Sequence, residues 1–385
     1  MGWRNPAKSW SELEAQLSAV SGSPGRATQR GPSPPGVDPD KPATRGDDHE
    51  PRQRGGVRGR PRPGGAGRRR PGTAYAELHA HSHFSFLDGA SSPEELVDEA
   101  VALELDALAL TDHNGFYGVV RFAEAAREAG LPTVFGAEVS IGAAEPRAGE
   151  GTSHDPAARH LVILARDPEG YARLGTLLST AQMAGEKGRP RLSFAELAEA
   201  AGRARGHWAA LTGCRKGTVP AALVADGPRA AGRELRALTA AFGSDSVFAE
   251  LWDHGDPLDS ARNDALVRLA ASAGVQPLAT NNVHYATPSA RRLAGAMAAI
   301  RARSSLDGSD GFLPANGGAH LRSGAEQLAR FARYPGVVQA ASALGRECAF
   351  DLSLVAPSLP PYPCPPGPDG APVSEMAYLR SLVED

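Results

Sequence analysis

From residue 75 onward the chain alternates short apolar runs with helical stretches, and this alternation limits the possible folds more than any other feature. The strand-length runs are Tyr75–His81, Ala107–Thr111, Thr133–Val139, His160–Ala165, Trp208–Thr212, Val247–Trp252 and Gln276–Thr280. Between them lie helical patterns. One starts at Pro93, behind an N-cap Ser92 with Glu95 closing a capping box. Others cover Val119–Ala129, stopped by Gly130, and Tyr171–Met183, Ala230–Phe242 and Ala261–Ala273. Strand-helix alternation predicts a parallel sheet with right-handed crossovers. Seven units in about 210 residues suit a closed (β/α)7 or (β/α)8 TIM-like barrel better than an open sheet.

The rest of the chain divides by composition. Residues 1–20 form a short neutral segment. Residues 21–74 carry 12 Lys and Arg against 5 Asp and Glu, with 12 Gly and 10 Pro, and cannot bury enough apolar surface to offset chain entropy. They are expected to be a disordered basic linker. Residues 75–288 are the expected barrel, 289–356 a helical extension (Ser289–Ala302, Gly324–Tyr334), and 357–385 a Pro-rich exit followed by a helical pattern, Glu375–Val383, that is expected to run on into a longer protein.

Residues 75–385 hold 27 positive and 37 negative side chains, so the folding part is acidic and a poor general binder of nucleic acid unless its acidic groups hold cations. Three cysteines, Cys214, Cys348 and Cys364, with no CxxC pair, argue against a disulfide scaffold and a zinc ribbon. There is no apolar leader and no run of about 18 apolar residues, so a cytoplasmic location with no membrane partner is expected.

The chemistry-bearing side chains gather at the strand ends. His79 and His81, two apart on a strand, share a face. Asp88 follows in the next loop; Thr111-Asp112-His113-Asn114 ends strand two, Glu138 lies on strand three, His160 opens strand four, Cys214 follows strand five, and Asn281-Asn282-Val283-His284 follows strand seven. A lone histidine in such a place is ordinarily a hydrogen-bonded or surface residue, and a free cysteine is ordinarily buried and inert. The series decides the matter, because the C-terminal rim of a parallel barrel brings these positions together. Imidazole, carboxylate and thiolate suit zinc, manganese or iron. A cluster of several such ions would activate water and neutralise phosphoryl oxygens, so phosphoester hydrolysis is the expected reaction. His254 is a weaker candidate, His83 is expected to be exposed or behind the ligands, and His49, His154, His207 and His320 receive no role. Arg215 and Lys216 are candidates for steering a phosphate or for plain solvation.

Glu77-Leu78-His79-Ala80-His81-Ser82, Leu87-Asp88-Gly89-Ala90, Thr111-Asp112-His113, Gly136-Ala137-Glu138 and Asn282-Val283-His284-Tyr285 together resemble the PHP (polymerase and histidinol phosphatase) domain. The version is similar to that of bacterial C-family DNA polymerases, particularly the error-prone DnaE-type branch. Met1–Pro6, Trp10–Leu13, Thr212–Gly217 and Pro360–Pro363 resemble that branch as well. The resemblance implies a (β/α)7 barrel holding two or three divalent ions, zinc or manganese. One ion would take His79, His81 and a bridging Glu138, with Asn282 where the family often has Asp; a second Glu138, His160 and Cys214; a third Asp88, His113 and His284. His79, His81, Glu138 and His113 would be central to catalysis. A carboxamide at Asn282 brings no charge and should weaken its site.

The resemblance also implies action on single-stranded DNA 3′ ends as a 3′–5′ exonuclease serving repair and translesion replication, with the remainder of the polymerase as partner in cis or in trans. A polymerase palm is not found within these 385 residues. The competing readings are a metal-stabilised structural scaffold without catalysis and a stand-alone phosphatase of the histidinol-phosphatase kind.

Overall fold

The computed structural model describes residues 73–142, 158–186, 189–308, 317–352, 362–367 and 370–384. The N-terminal segment, nearly all of the basic insert, and residues 353–361, where the helical extension passes into the Pro-rich exit, lie outside the described residues. Seven strands form one sheet in chain order: β1 (Ala76–Glu77), β2 (Ala107–Leu110), β3 (Thr133–Ile141), β4 (Arg159–Ala165), β5 (Trp208–Leu211), β6 (Val247–Leu251) and β7 (Gln276–Ala279). The α-helices among the described residues are α1 (Pro93–Ala102), α2 (Val119–Ala129), α3 (Pro168–Ala184), α4 (Phe194–Arg203), α5 (Thr218–Asp226), α6 (Pro228–Phe242), α7 (Asp259–Ala273), α8 (Arg291–Ala302), α9 (Gly324–Arg330), α10 (Val337–Glu347) and α11 (Glu375–Glu384). Among the described residues no helix is long and apolar enough to cross a membrane.

The helix signals act locally as their chemistry requires. Ser92 and Glu95 exchange both bonds of the capping box at the start of α1. Gly130 ends α2 in the left-handed conformation at φ 71°, satisfying the carbonyls of Ala126 and Arg127. Helices α1 and α2 each turn an apolar stripe inward: Leu96, Val97 and Ala100 on α1, Val119, Phe122 and Ala126 on α2. All of β2 and β3 is buried, as expected of strands with helices on one face and a packed interior on the other. Phe135, Leu161, Ile163 and Trp208 are among the largest fully buried side chains, each stabilising the core by about 1.5–3 kcal/mol.

The expected all-parallel sheet fails at one strand. β4 pairs antiparallel with both β3 and β5, while the other four pairings are parallel. An antiparallel return needs no crossover helix. The reversal places the first residues of β4, rather than its last, at the rim where β3 and β5 end. This is why His160, at the start of its strand, meets Ser140 near the end of β3 and bridges to Gly217.

The sheet curls until its two ends meet. Val283 N–H donates to the His79 carbonyl and His81 N–H to the Val283 carbonyl, both at 2.8 Å. Below this seam the buried Glu77 carboxylate accepts from Asn281 N–H at 2.9 Å, His79 N–H at 3.0 Å and the Tyr75 hydroxyl at 2.7 Å. Burial pushes the Glu77 pKa up to about 7 despite those donors. Helix α10 packs against β1, β2 and β7. There Gly345 is required, because a Cβ on it would lie 2.4 Å from that of Ala76.

Candidate metal centre

The rim gathers its side chains around Glu138. Its Oε1 lies 3.6 Å from His79 Nε2 and 3.3 Å from His160 Nδ1; its Oε2 lies 3.4 Å from His81 Nε2 and 3.1 Å from His113 Nδ1. His79 and His81 bring their Nε2 atoms within 3.1 Å of each other. Asp88 stands beyond, its Oδ2 3.1 Å from both His113 Nε2 and His284 Nδ1. His79, His81, His160 and Glu138 are at most 4% exposed, whereas Asp88, His113 and His284 are 16–25% exposed. The centre therefore has a buried floor and an open mouth.

Electrostatics follow from this packing. Burial works against ionised Glu138 and Asp88, yet His160 and His113 hold Glu138, and His284 and His113 hold Asp88, well below the usual carboxylate range. Burial and the neighbouring His113 push His81 well down. For His79 burial is outweighed by Glu250 and Glu138, which raise it. Burial and the Glu138 charge push the Cys214 thiol well up.

A second layer fixes these rings. Glu250, on β6 and fully buried, accepts from His79 Nδ1–H at 2.6 Å and from the Thr280 hydroxyl at 2.5 Å. With Nδ1 so engaged, Nε2 is the atom turned toward Glu138 and free to serve a cation there, the carboxylate–histidine arrangement typical of metal sites. Sequence reading missed Glu250, because a single carboxylate inside an apolar strand gives no sign of its cross-barrel partner. Asp112 accepts from Ser82 N–H, the Ser82 hydroxyl and the Ser85 hydroxyl, each at 2.8 Å, and so ties the loop that carries Asp88 to the end of β2.

Gly89 completes that loop: a Cβ there would lie 2.0 Å from the Ser82 carbonyl oxygen, which is backbone and cannot yield without moving the turn. Gly89→Ala is expected to destabilise the protein by about 1–3 kcal/mol, measured by urea denaturation, and to displace the neighbouring Asp88.

Seven of the nine positions expected at the site come together, with a different sharing. Three groups have ligand atoms mutually within 4.8 Å: His79, His81 and Glu138; His81, Asp88 and His284; His113, Glu138 and His160. His113 thus reaches Glu138 and His160 as well as Asp88, and His81 takes part in two groups. Cys214 is close, with Sγ 3.8 Å from Glu138 Oε1, but joins none of the three. Asn282 sits in the left-handed region at φ 43°, with its Oδ1 buried and unpartnered. His254 is engaged elsewhere: its Nε2 donates to the Asn281 carbonyl at 2.6 Å, and burial lowers its pKa to about 3. His83 packs on Phe84, and His320 Nδ1 bonds the Gly317 carbonyl.

These donors fit divalent cations. Five imidazoles and two carboxylates bring ligand atoms within 4.8 Å of one another in three groups, and the buried carboxamide oxygen of Asn282 is left without a donor. The family model described as PHP domain matches residues 77–254. Over that span, most of the barrel, the chain is similar to the PHP domain. Asn282 and His284 of its rim lie beyond the matched span. Over its whole length the chain is 52% identical to an error-prone DNA polymerase of Mycobacterium bovis and 47% identical to one of Nocardia farcinica. The alignments cover 100% of this chain, 32% of the first relative and 35% of the second, so the chain spans about a third of the curated relatives it matches. Among solved structures, an amidohydrolase from Chromobacterium violaceum superposes with a TM-score of 0.32 at 21% identity, covering 55% of this chain and 88% of its own.

Proposed function

We propose that this barrel is a metal-dependent phosphoesterase that removes nucleotides from single-stranded 3′ ends, as the 3′–5′ exonuclease module of an error-prone DNA polymerase whose remainder acts in cis or in trans. The observation that carries the reading is Glu138: one buried carboxylate within 3.1–3.6 Å of four imidazoles, each oxygen shared between two. Such a carboxylate is suited to bridge two cations. His79, His81 and Glu138 would serve one ion, His113, Glu138 and His160 another, and Asp88 and His284 with His81 a third, with Cys214 and Asn282 as further candidate ligands. Two or three zinc or manganese ions held there would supply Lewis-acid charge for the phosphoryl oxygens and an activated water. The protein's own part is orientation. Glu250 sets the His79 tautomer, Asp112 braces the Asp88 loop, and the near-complete burial of His79, His81, His160 and Glu138 keeps bulk water from the floor. The exposed mouth at Asp88, His113 and His284 is where a strand end would enter.

The test is bound metal together with manganese-dependent release of 3′ nucleotides from single-stranded DNA, on the wild type and on His79→Ala with His81→Ala. Release by the wild type and its loss in the double variant are expected. A full metal complement with no release would sink the enzymatic reading and leave a metal-stabilised scaffold.

A further inference from the structure

Arg301 reaches the mouth from α8, outside the span matched by the PHP model. Its Nη1 lies 2.6 Å from Asp88 Oδ1, and the side chain is only 10% exposed. The other oxygen of the same carboxylate faces His113 and His284, so one carboxylate separates the guanidinium from the open end of the metal centre. The placement is built in. Ala290, Ala294 and Met297 of α8 and the residues just before it pack on Ala90, Tyr285 and Ala319. Ala90 N–H donates to the His284 carbonyl at 2.7 Å, and His284 N–H donates to the Ala319 carbonyl at 2.9 Å. The helix is therefore anchored on both segments that supply the mouth residues Asp88 and His284.

Two roles are open to a cation in this place, and electrostatics separates them. Strengthening metal binding through Asp88 would set a fixed positive charge beside incoming divalent cations. That repulsion opposes the metal. Binding an anion at the mouth puts the same charge to work in the favourable direction. A planar guanidinium also matches the oxygens of a phosphate, and the carboxylate fixes it before substrate arrives.

We propose that Arg301 is a substrate-contacting residue that captures the phosphate of the phosphoester at the mouth of the centre, with Asp88 as its positioning partner. The assignment rests on the phosphoesterase reading above and names the part of the chain that would select an anionic substrate.

Inorganic phosphate is the probe. The full chain is stripped, reloaded with manganese, assayed for bound metal and titrated calorimetrically with phosphate, as wild type, Arg301→Gln and Arg301→Lys. Arg301→Gln is expected to hold at least the wild-type manganese content and bind phosphate about 10–100-fold more weakly, the loss of a charge-assisted hydrogen bond. Arg301→Lys, which keeps the charge without the fork, should fall between the two, and it decides the matter if the Gln variant does not fold. Wild-type phosphate affinity in both variants overturns the proposal, as does a loss of phosphate binding that follows a loss of metal. Arg301-dependent capture supports it even where no nucleotide is released; that result would count against the exonuclease reading alone.

Discussion

Replacing Glu138 by Gln is expected to empty the floor of the metal centre and abolish phosphoester hydrolysis while leaving the barrel folded. The substitution keeps size and shape and removes one charge. Its effect is large because Glu138 belongs to two of the three ligand groups and touches four imidazoles at once. A carboxamide cannot bridge two cations with two anionic oxygens, so metal affinity should fall by at least about 100-fold and turnover by on the order of 10³-fold. Metal analysis after dialysis and 3′ nucleotide release measure the two effects.

The metal-free protein offers an independent check. The depressed pKa of Glu138 means that its contribution to stability is present above the unfolded carboxylate pKa and is lost as pH falls through the folded value. The metal-free wild type should therefore be more stable than Glu138→Gln at neutral pH, and the two should converge in acid. Equal urea midpoints at neutral pH would show that the carboxylate gains nothing from its imidazole neighbours.

The sequence carried most of the frame. Apolar runs and caps located the strands, and α2 ends at Gly130 as its pattern requires. Two kinds of feature were not legible. The first is direction: the residues of β4 read as any buried strand, and nothing within His160–Ala165 says which way it runs. His160 at the front of its strand was the available sign, since only a reversed strand brings that end to the rim. Helix α5 was missed for a related reason: Thr218–Asp226 is apolar nearly all round and shows no clean 3.6-residue stripe. The second is partnership across the barrel. Glu250 and Arg301 sit 171 and 213 positions from the side chains they hold, and a lone carboxylate in a strand or an arginine near a helix end has no local pattern that reports such a contact. The ligand candidates were readable because they form a series, whereas their supports occur singly.

Asn282→Asp should move the metal-free and metal-loaded proteins in opposite directions. Asn282 is buried, its Oδ1 has no hydrogen-bond donor, and its backbone is left-handed at φ 43°, a conformation that Asp and Asn both tolerate. The exchange is nearly isosteric, so the new charge dominates the outcome. Without metal, a carboxylate at this position is buried beside a rim that already holds Asp88 and Glu138, and its desolvation is not repaid. The melting temperature of the metal-free protein should fall. With metal, the same charge meets a cation, and affinity should rise by about tenfold or more, equivalent to about 1.4 kcal/mol. Because a ligand that binds only the folded state stabilises it in proportion to the logarithm of its occupancy, the gap between metal-free and metal-loaded melting temperatures should widen. Manganese titration and thermal melts of wild type and variant read both arms. A fall in metal-free stability with no gain in affinity would mean that position 282 does not face a cation, and the floor site would then rest on His79, His81 and Glu138 alone.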